Sequence, residues 1–399
     1  MKNVQLNFQR LNEMDYSLEK LFQKESYEWP GDWEGRALLA FTCHYEINGS
    51  LIPHLHAFVS ALAEKTNGKG YFGKEFDGVT VDEQQLSGHN WYLRSLLKYA
   101  RLFGGETATR LAKQTVENLY LPMLDWYDRY PLDRGGENGD VSGNILGERC
   151  GWKLSSDVGC AFMCVDGLAQ YYVSTGDARV KSFLDKAIDF FVSIDLLKYH
   201  FQTHTTLTCL RGIFALYQAT GDEKYLQIVK EKFQFYLQYG MTLTYENFNW
   251  FGRENTWTEP CAVVDSFILA TELYKCIKET QYKTLARRIW FNGLQFCLRP
   301  NGGAGPNTCV TANAPVLKVS LYEAPFCCTM RYAEGLLEYA KNKTLFGWNA
   351  QAAPTTDEFG RTFIDDKLSV WRGEEFAPIL GGYEYSETDI RAVEMRVIK

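Results

Sequence analysis

Two groups of candidate ligands stand apart in the chain: Glu259-Pro260-Cys261 and the adjacent pair Cys327-Cys328. A carboxylate and three thiols suit the tetrahedral, sulfur-tolerant preference of a divalent zinc ion, with the E-x-C half giving two donors from one turn at the mouth of a helix and the C-C half the other two. The spacing differs from the C-x2-C pairs of a zinc ribbon or finger, so a purely structural knuckle is the less natural reading. The alternatives are buried free cysteines, a common fate of this residue, and a vicinal disulfide, which is strained and out of place in a reducing compartment. Thirteen residues before Glu259 stands Glu246, within Thr244-Tyr245-Glu246-Asn247-Phe248-Asn249-Trp250. Aromatic neighbours would raise its pKa by desolvation and suit it to general acid work; the alternative is a solvated loop glutamate.

Helices must position these groups. The segment Tyr172-Val173-Ser174-Thr175-Gly176-Asp177 recurs in kind 45 residues later as Tyr217-Gln218-Ala219-Thr220-Gly221-Asp222, each copy flanked on both sides by an amphipathic helical pattern. In each, the first helix is predicted to end at the glycine, which tolerates a left-handed cap, and the aspartate to cap the helix that follows. The unit is therefore a helical hairpin. Similar hairpins can be drawn around Phe103-Gly104-Gly105 and across Lys275 to Gln281, so helix pairs are predicted from about residue 85 to about residue 345. Such an array is an open solenoid or a closed toroid, and only closure gives a central pocket. Loops rich in Trp, His, Glu and Gly recur at the hairpin mouths (Ser87-Gly88-His89-Asn90-Trp91, Thr203-His204-Thr205, Tyr245 to Glu259), which favours the toroid. The expected fold is all-α dominant, an (α/α)6-type toroid over residues 1–345. A small β-rich appendage over residues 346–399 is expected to pack on it, because Thr362-Phe363-Ile364, Leu368-Ser369-Val370-Trp371 and Arg391 to Val397 alternate with period two.

Composition narrows the classes. At 399 residues, 46% hydrophobic and 15% aromatic, the chain can bury a large core. A net charge of -7 and the lack of a basic stripe argue against nucleic acid, and there is no polybasic patch for a membrane surface. The start, MKNVQLNFQRLNEMDY, lacks the apolar run of a secretory signal, and nowhere do about 18 apolar residues run together. Eleven cysteines without framework spacing suit a compartment where thiols stay reduced. The expectation is a cytoplasmic protein with no nucleic-acid or membrane partner, and homo-oligomerisation left open.

In that order along the chain, Glu246, Glu259-x-Cys261 and Cys327-Cys328 resemble the β-L-arabinofuranosidases of glycoside hydrolase family 127. The likeness extends to Gly70-Tyr71-Phe72-Gly73, Ser87-Gly88-His89 and the Leu207 to Asp222 segment, over roughly residues 30 to 345. The resemblance implies an α/α barrel with zinc held by Glu259, Cys261, Cys327 and Cys328, Cys327 as nucleophile and Glu246 as acid/base. It also implies His89 and His204 near the sugar. Retaining glycosidases usually employ two carboxylates about 5 Å apart, one attacking the anomeric carbon and one moving a proton. A thiolate can replace the attacker; free cysteine, with a pKa of about 8.5, is mostly protonated at neutral pH, and coordination removes that proton. Two departures bear on the substrate: only about seventy residues follow Cys328, leaving little of the family's β-sandwich regions, and the Glu246 to Glu259 connection is short.

Trp33, Trp91, Trp250 and Trp257 could stack on sugar faces or fill the core between helices. Trp33, Trp91 and Tyr245 join His89 and His204 as the expected substrate contacts. His44, His54 and His56 read as ordinary packing residues, Cys160, Cys164, Cys209, Cys276 and Cys297 as buried, and Asn301 to Pro306 as a turn. The leading reading is a zinc- and thiol-dependent retaining glycosidase for a terminal L-arabinofuranose-like sugar. A sugar epimerase or uronyl hydrolase on the same toroid would rely on His pairs or an Asp. A non-catalytic carbohydrate-binding scaffold would use zinc only as a staple.

Overall fold

The two repeated segments behave as their residue types dictate. Gly176 and Gly221 both take φ +69°, ending one helix in the left-handed region, and the Asp177 and Asp222 carboxylates accept from the backbone N–H of Arg179 (2.9 Å) and Lys224 (3.0 Å) to start the next. Repetition of such hairpins builds the molecule. The computed structural model describes residues 2–22, 29–134, 138–139 and 141–377. In chain order the helices are α1 (Lys2–Arg10), α2 (Leu18–Phe22), α3 (Asp32–Asn48), α4 (Leu55–Lys65), α5 (Glu83–Phe103), α6 (Glu106–Thr115) and α7 (Cys164–Thr175). They continue with α8 (Ala178–Ser193), α9 (Thr203–Thr220), α10 (Glu223–Tyr239), α11 (Pro260–Ile277), α12 (Thr280–Arg288), α13 (Gln295–Cys297) and α14 (Met330–Lys341).

Six of them form a closed inner ring: α3 packs on α5, α5 on α7, α7 on α9, α9 on α11, α11 on α14, and α14 returns to α3. Outside, α4, α6, α8, α10, α12 and α1 pair with α3, α5, α7, α9, α11 and α14. This is the expected (α/α)6 toroid. The sequence distinguishes the two rings. Along α11 every residue from Pro260 to Thr271 is buried, whereas α10 buries only a stripe of Tyr225, Leu226, Ile228, Val229, Phe233 and Tyr236. Inner helices also touch closely: a Cβ on Gly35 of α3 would lie 2.1 Å from the backbone N of Tyr92 on α5.

Two features differ from the sequence-based expectation. The ring begins at Asp32, well before residue 85, because α3 is buried almost all round and offers no polar face to mark it as helical. A three-stranded sheet, ordered β1-β3-β2, from β1 (Val81–Asp82), β2 (Ile145–Arg149) and β3 (Trp152–Ser155), leads into α7. After the toroid, β4 (Thr355–Thr356), β5 (Arg361–Ile364), β6 (Lys367–Trp371) and β7 (Glu374–Glu375) form an antiparallel sheet that contains the strands expected at 362–364 and 368–371. The strand expected over Arg391 to Val397 lies outside the described residues. This sheet is tied to the toroid by Arg287, ion-paired with Asp365 (2.8 Å) and Asp366 (2.6 Å), and by Leu368 N–H donating to Asn292 (2.7 Å). Cys276, expected inside, is exposed on the last turn of α11; Cys160, Cys164, Cys209 and Cys297 are buried. Among the described residues no helix is long and apolar enough to cross a membrane.

Candidate active site

All six inner helices begin at one mouth of the toroid, and a cavity of about 380 Å³ opens there. The first turns of α3 contribute Asp32, Trp33 and Arg36, the second turn of α5 Ser87, and α9 contributes His204. Met163 precedes α7, Glu259 is the N-cap of α11, and Cys327 and Cys328 lie in the turn Pro325–Thr329 that enters α14. Pro260 takes the first position of α11, where its missing N–H has no helical partner to lose. Trp29, Asp157, Gln202, Asn249, Trp257 and Phe326 complete most of the wall. Helix N-termini carry partial positive charge, so this mouth favours anions, thiolates among them.

The thiols converge. Cys261 Sγ lies 3.3 Å from Cys327 Sγ and 3.8 Å from Cys328 Sγ, and the Cys327 and Cys328 sulfurs are 3.9 Å apart. A tetrahedron with Zn–S bonds of about 2.3 Å has edges of about 3.8 Å. Glu259 adjoins this cluster through Cys261, with which it and His204 form a second group of candidate ligands: Oε1 pairs with His204 Nδ1 at 2.9 Å, while Oε2 is buried with no hydrogen-bond partner. Three clustered sulfurs and an orphaned carboxylate oxygen fit a divalent zinc-like ion. The cluster also differentiates its own thiols. Hydrogen bonds from Cys261 and Cys328 pull the Cys327 thiol well below its ordinary range, against burial and with help from Arg36 and His204. Burial pushes Cys261 up, and hydrogen bonding to its neighbours pushes Cys328 up.

Beneath the cavity floor a polar chain runs along the barrel axis. Burial opposes protonation of His204, yet the Glu259 and Asp265 carboxylates hold its pKa at about 9. Its Nε2 lies 3.4 Å from Asp265, which receives Thr208 Oγ1 (2.8 Å), Arg211 (2.6 Å) and Arg331 (2.5 Å). Trp91 stacks under His204 (5.6 Å between centroids, 18°) and is ringed by the guanidiniums of Arg36, Arg331 and Arg94.

Of the residues expected from sequence, Glu259, Cys261, Cys327, Cys328, His204 and Trp33 are brought together, Trp33 stacking on Phe326 at 4.1 Å. Four are not. Glu246 is fully buried off the cavity wall, accepting from Asn307 Nδ2 (2.7 Å), Thr258 Oγ1 (3.0 Å) and Thr244 Oγ1 (3.3 Å), with burial lifting its pKa to about 7. Tyr245 turns away at φ +65° to receive Arg288 at its hydroxyl (2.9 Å) and to meet Phe363 of the C-terminal sheet. His89 spends Nδ1 on the Gln85 carbonyl (2.7 Å) and Nε2 on the Phe72 N–H (2.9 Å), so it ties α5 to the Tyr71-Phe72 loop. Trp91 is the buried support of His204 and does not reach the wall. Sequence reasoning passed over Asp157, Gln202, Asp32 and Arg36. Asp32 and Arg36, four residues apart on α3 and ion-paired at 2.8 Å, carried a readable i,i+4 signal; Asp157 and Gln202 carried none.

No protein-family profile matches this chain, and neither does any curated protein. Solved structures do. One is a β-arabinofuranosidase of glycoside hydrolase family 127, 14% identical with a TM-score of 0.53 over 84% of this chain and 58% of that one. Another is cellobiose 2-epimerase from Bacillus thermoamylovorans, 14% identical with a TM-score of 0.54 over 80% of this chain and 90% of that one. A third is an unsaturated glucuronyl hydrolase specific for heparin, 14% identical with a TM-score of 0.54 over 87% of this chain and 98% of that one. The chain thus spans less than two thirds of the arabinofuranosidase. At such identities the likeness establishes the α/α toroid as the shared architecture.

Proposed function

We propose that the chain is a carbohydrate-active enzyme, a retaining glycoside hydrolase that uses Cys327 as nucleophile and releases a terminal L-arabinofuranose-like sugar from a small oligosaccharide or glycoconjugate. The observation that carries this reading is the convergence of three thiols and the orphaned Glu259 oxygen at an aromatic-walled cavity. Trp33, Trp257 and Phe326 offer apolar faces to a sugar ring, and Asn249, Gln202 and Ser87 offer partners for its hydroxyls. Glu259, Cys261, Cys327 and Cys328 would hold zinc. When bound, zinc would keep the coordinating thiols deprotonated and fix their direction. Cys327 is the most exposed of the three sulfur residues and the one the chain itself biases toward thiolate, so it is the one to meet an anomeric carbon. The likeness to the family 127 structure supports the reading at the level of fold.

The test is a panel of aryl furanosides and pyranosides incubated with reduced protein, with zinc assayed on the same sample. Turnover with retained anomeric configuration, stoichiometric zinc, and substrate protection of one thiol from alkylation are expected. Inverted product would overturn the thiolate cycle. A second reading, a uronyl hydrolase, draws on the near-complete overlap with the glucuronyl hydrolase and on the two aspartates of the wall, Asp32 and Asp157. It requires turnover of an unsaturated uronide by metal-free protein.

A further inference from the structure

We infer that Asp157 is the proton carrier of the cavity, the group that protonates the leaving oxygen and later takes a proton from water; this rests on the hydrolase reading above. A retaining cycle needs such a group within reach of the substrate, and Glu246 does not line the cavity. Among the described residues the wall carries three carboxylates: Asp32, Asp157 and Glu259. Two are committed to cations, Asp32 to Arg36 (2.8 Å) and Glu259 to His204 (2.9 Å). Asp157 is held by neutral donors alone: Ser142 Oγ (3.1 and 3.0 Å), the Gly143 N–H (2.8 Å) and Gln202 Nε2 (3.0 Å). Neutral donors fix the direction of a carboxyl without pinning its charge as an ion pair does, which suits a group that must alternate between acid and base.

The neighbourhood is cross-linked by hydrogen bonds. Asn144 and Ser156 clamp the two sides of the turn, Asn144 N–H donating to Ser156 Oγ (3.0 Å) and Ser156 N–H to the Asn144 carbonyl (2.8 Å). The Gln202 amide oxygen accepts from Thr205 Oγ1 (2.9 Å), which leaves its NH2 facing Asp157. Burial first, and the nearby Glu259 charge second, lift the Asp157 carboxyl to about 7 against the pull of Gly143 and Ser142, with Glu83 adding to the rise. In the first half of the cycle the Asp157 proton goes to the glycosidic oxygen as the C1–O bond breaks and a C1–Sγ bond forms to Cys327. In the second half Asp157 takes a proton from water, the water oxygen bonds to C1, and the electron pair of the C1–Sγ bond returns to sulfur.

The experiment compares Asp157→Asn with Glu246→Gln on two glycosides of the sugar the native protein accepts, one with a 4-methoxyphenyl and one with a 2,4-dinitrophenyl leaving group. For Asp157→Asn, kcat/KM should fall about a hundredfold or more on the first, whose leaving group needs a proton, and less than about tenfold on the second, which does not. Added azide should accelerate the variant on the dinitrophenyl substrate and give a glycosyl azide of retained configuration. Glu246→Gln should keep the native ratio between the two substrates. A native ratio in Asp157→Asn, or azide rescue in Glu246→Gln alone, overturns the assignment. Should Asp157→Asn not fold by circular dichroism, Ser142→Ala decides: a steeper leaving-group dependence supports the assignment and a native one overturns it. A native protein inert to every aryl glycoside removes the hydrolase reading itself, whereas active native protein with an unaltered Asp157→Asn removes only this assignment.

Discussion

The two mouths of the toroid are built from opposite ends of the same six helices, and they differ in how their charges are settled. The cavity at the N-terminal mouth measures about 380 Å³; the one at the C-terminal mouth, among α5, α6, α7, α9 and α14, measures about 880 Å³. In the larger one the basic side chains are mostly matched to acids. Lys98, Arg101 and Lys341 meet Glu46, while Arg94 and Arg211 share Glu334 and reach Asp166 and Asp265. In the smaller one three thiols crowd together with a single guanidinium, Arg36, 3.4 Å from Cys261 Sγ, one Glu259 oxygen has no hydrogen-bond partner, and Asp157 has only neutral partners. Size therefore favours one mouth and unsettled chemistry favours the other.

The largest effect should come from Cys327→Ala, which is expected to cut kcat at least about a thousandfold in protein whose fold is verified by circular dichroism, with a lowered melting temperature from the lost metal ligand. If activity survives, the contrast between the mouths loses its chemical meaning. At the opposite mouth, Glu334→Ala leaves Arg94, Arg211 and Arg331 short of a buried partner and should cost about 3–5 kcal/mol in urea unfolding. A loss below about 1 kcal/mol would mean that those charges are solvated and the region is an open site after all. Chelation should lower the melting temperature by several degrees, and zinc at a hundred times its dissociation constant should restore about 2.7 kcal/mol. An unchanged melting curve would detach the thiol cluster from any metal. Trp33→Ala should raise KM about tenfold with little change in kcat, since a stacked ring contributes about 1.4 kcal/mol to ground state and transition state alike.

The smallest effect concerns Glu338, an acid of the larger cavity that accepts from Asn342 Nδ2 (2.6 Å). Burial, with Glu272 alongside, raises the Glu338 carboxyl to about 7. A carboxyl whose folded pKa lies above its unfolded value adds stability that is complete below about 4.5 and is lost as pH rises through about 7. Glu338→Gln should therefore stabilise the protein by about 1–2 kcal/mol at pH 8 and flatten its stability between pH 4.5 and 7, as read from urea midpoints. A profile identical to that of the native chain would place Glu338 in water.

How much of this was legible in the chain follows from where each signal resides. The Glu259, Cys261, Cys327 and Cys328 set could be read because such donors are rare in so close a spacing, and the toroid because Gly176 and Gly221 punctuate two similar hairpins. Residue type does not tell which way a side chain turns. His89 and Trp91 sit two apart on α5, so they project to different sides of a helix that is buried nearly all round, and neither reaches the cavity. Tyr245 and Glu246 lie in a loop whose left-handed residue redirects the chain toward the C-terminal sheet, a turn that no composition announces. Asp157 was invisible for a different reason. Its partners come from a loop 14 residues earlier and from the start of a helix 45 residues later, so no local pattern marks it.

The donor set is divided between the N-terminus of α11 and the turn entering α14, and α14 is also the helix that meets α3 to close the ring. A chain emerging from the ribosome would thus display Glu259 and Cys261 long before Cys327 and Cys328 exist. Completion of this donor set and closure of the barrel fall together late in synthesis, so a nascent protein arrested before residue 327 has half of the donors and an open seam.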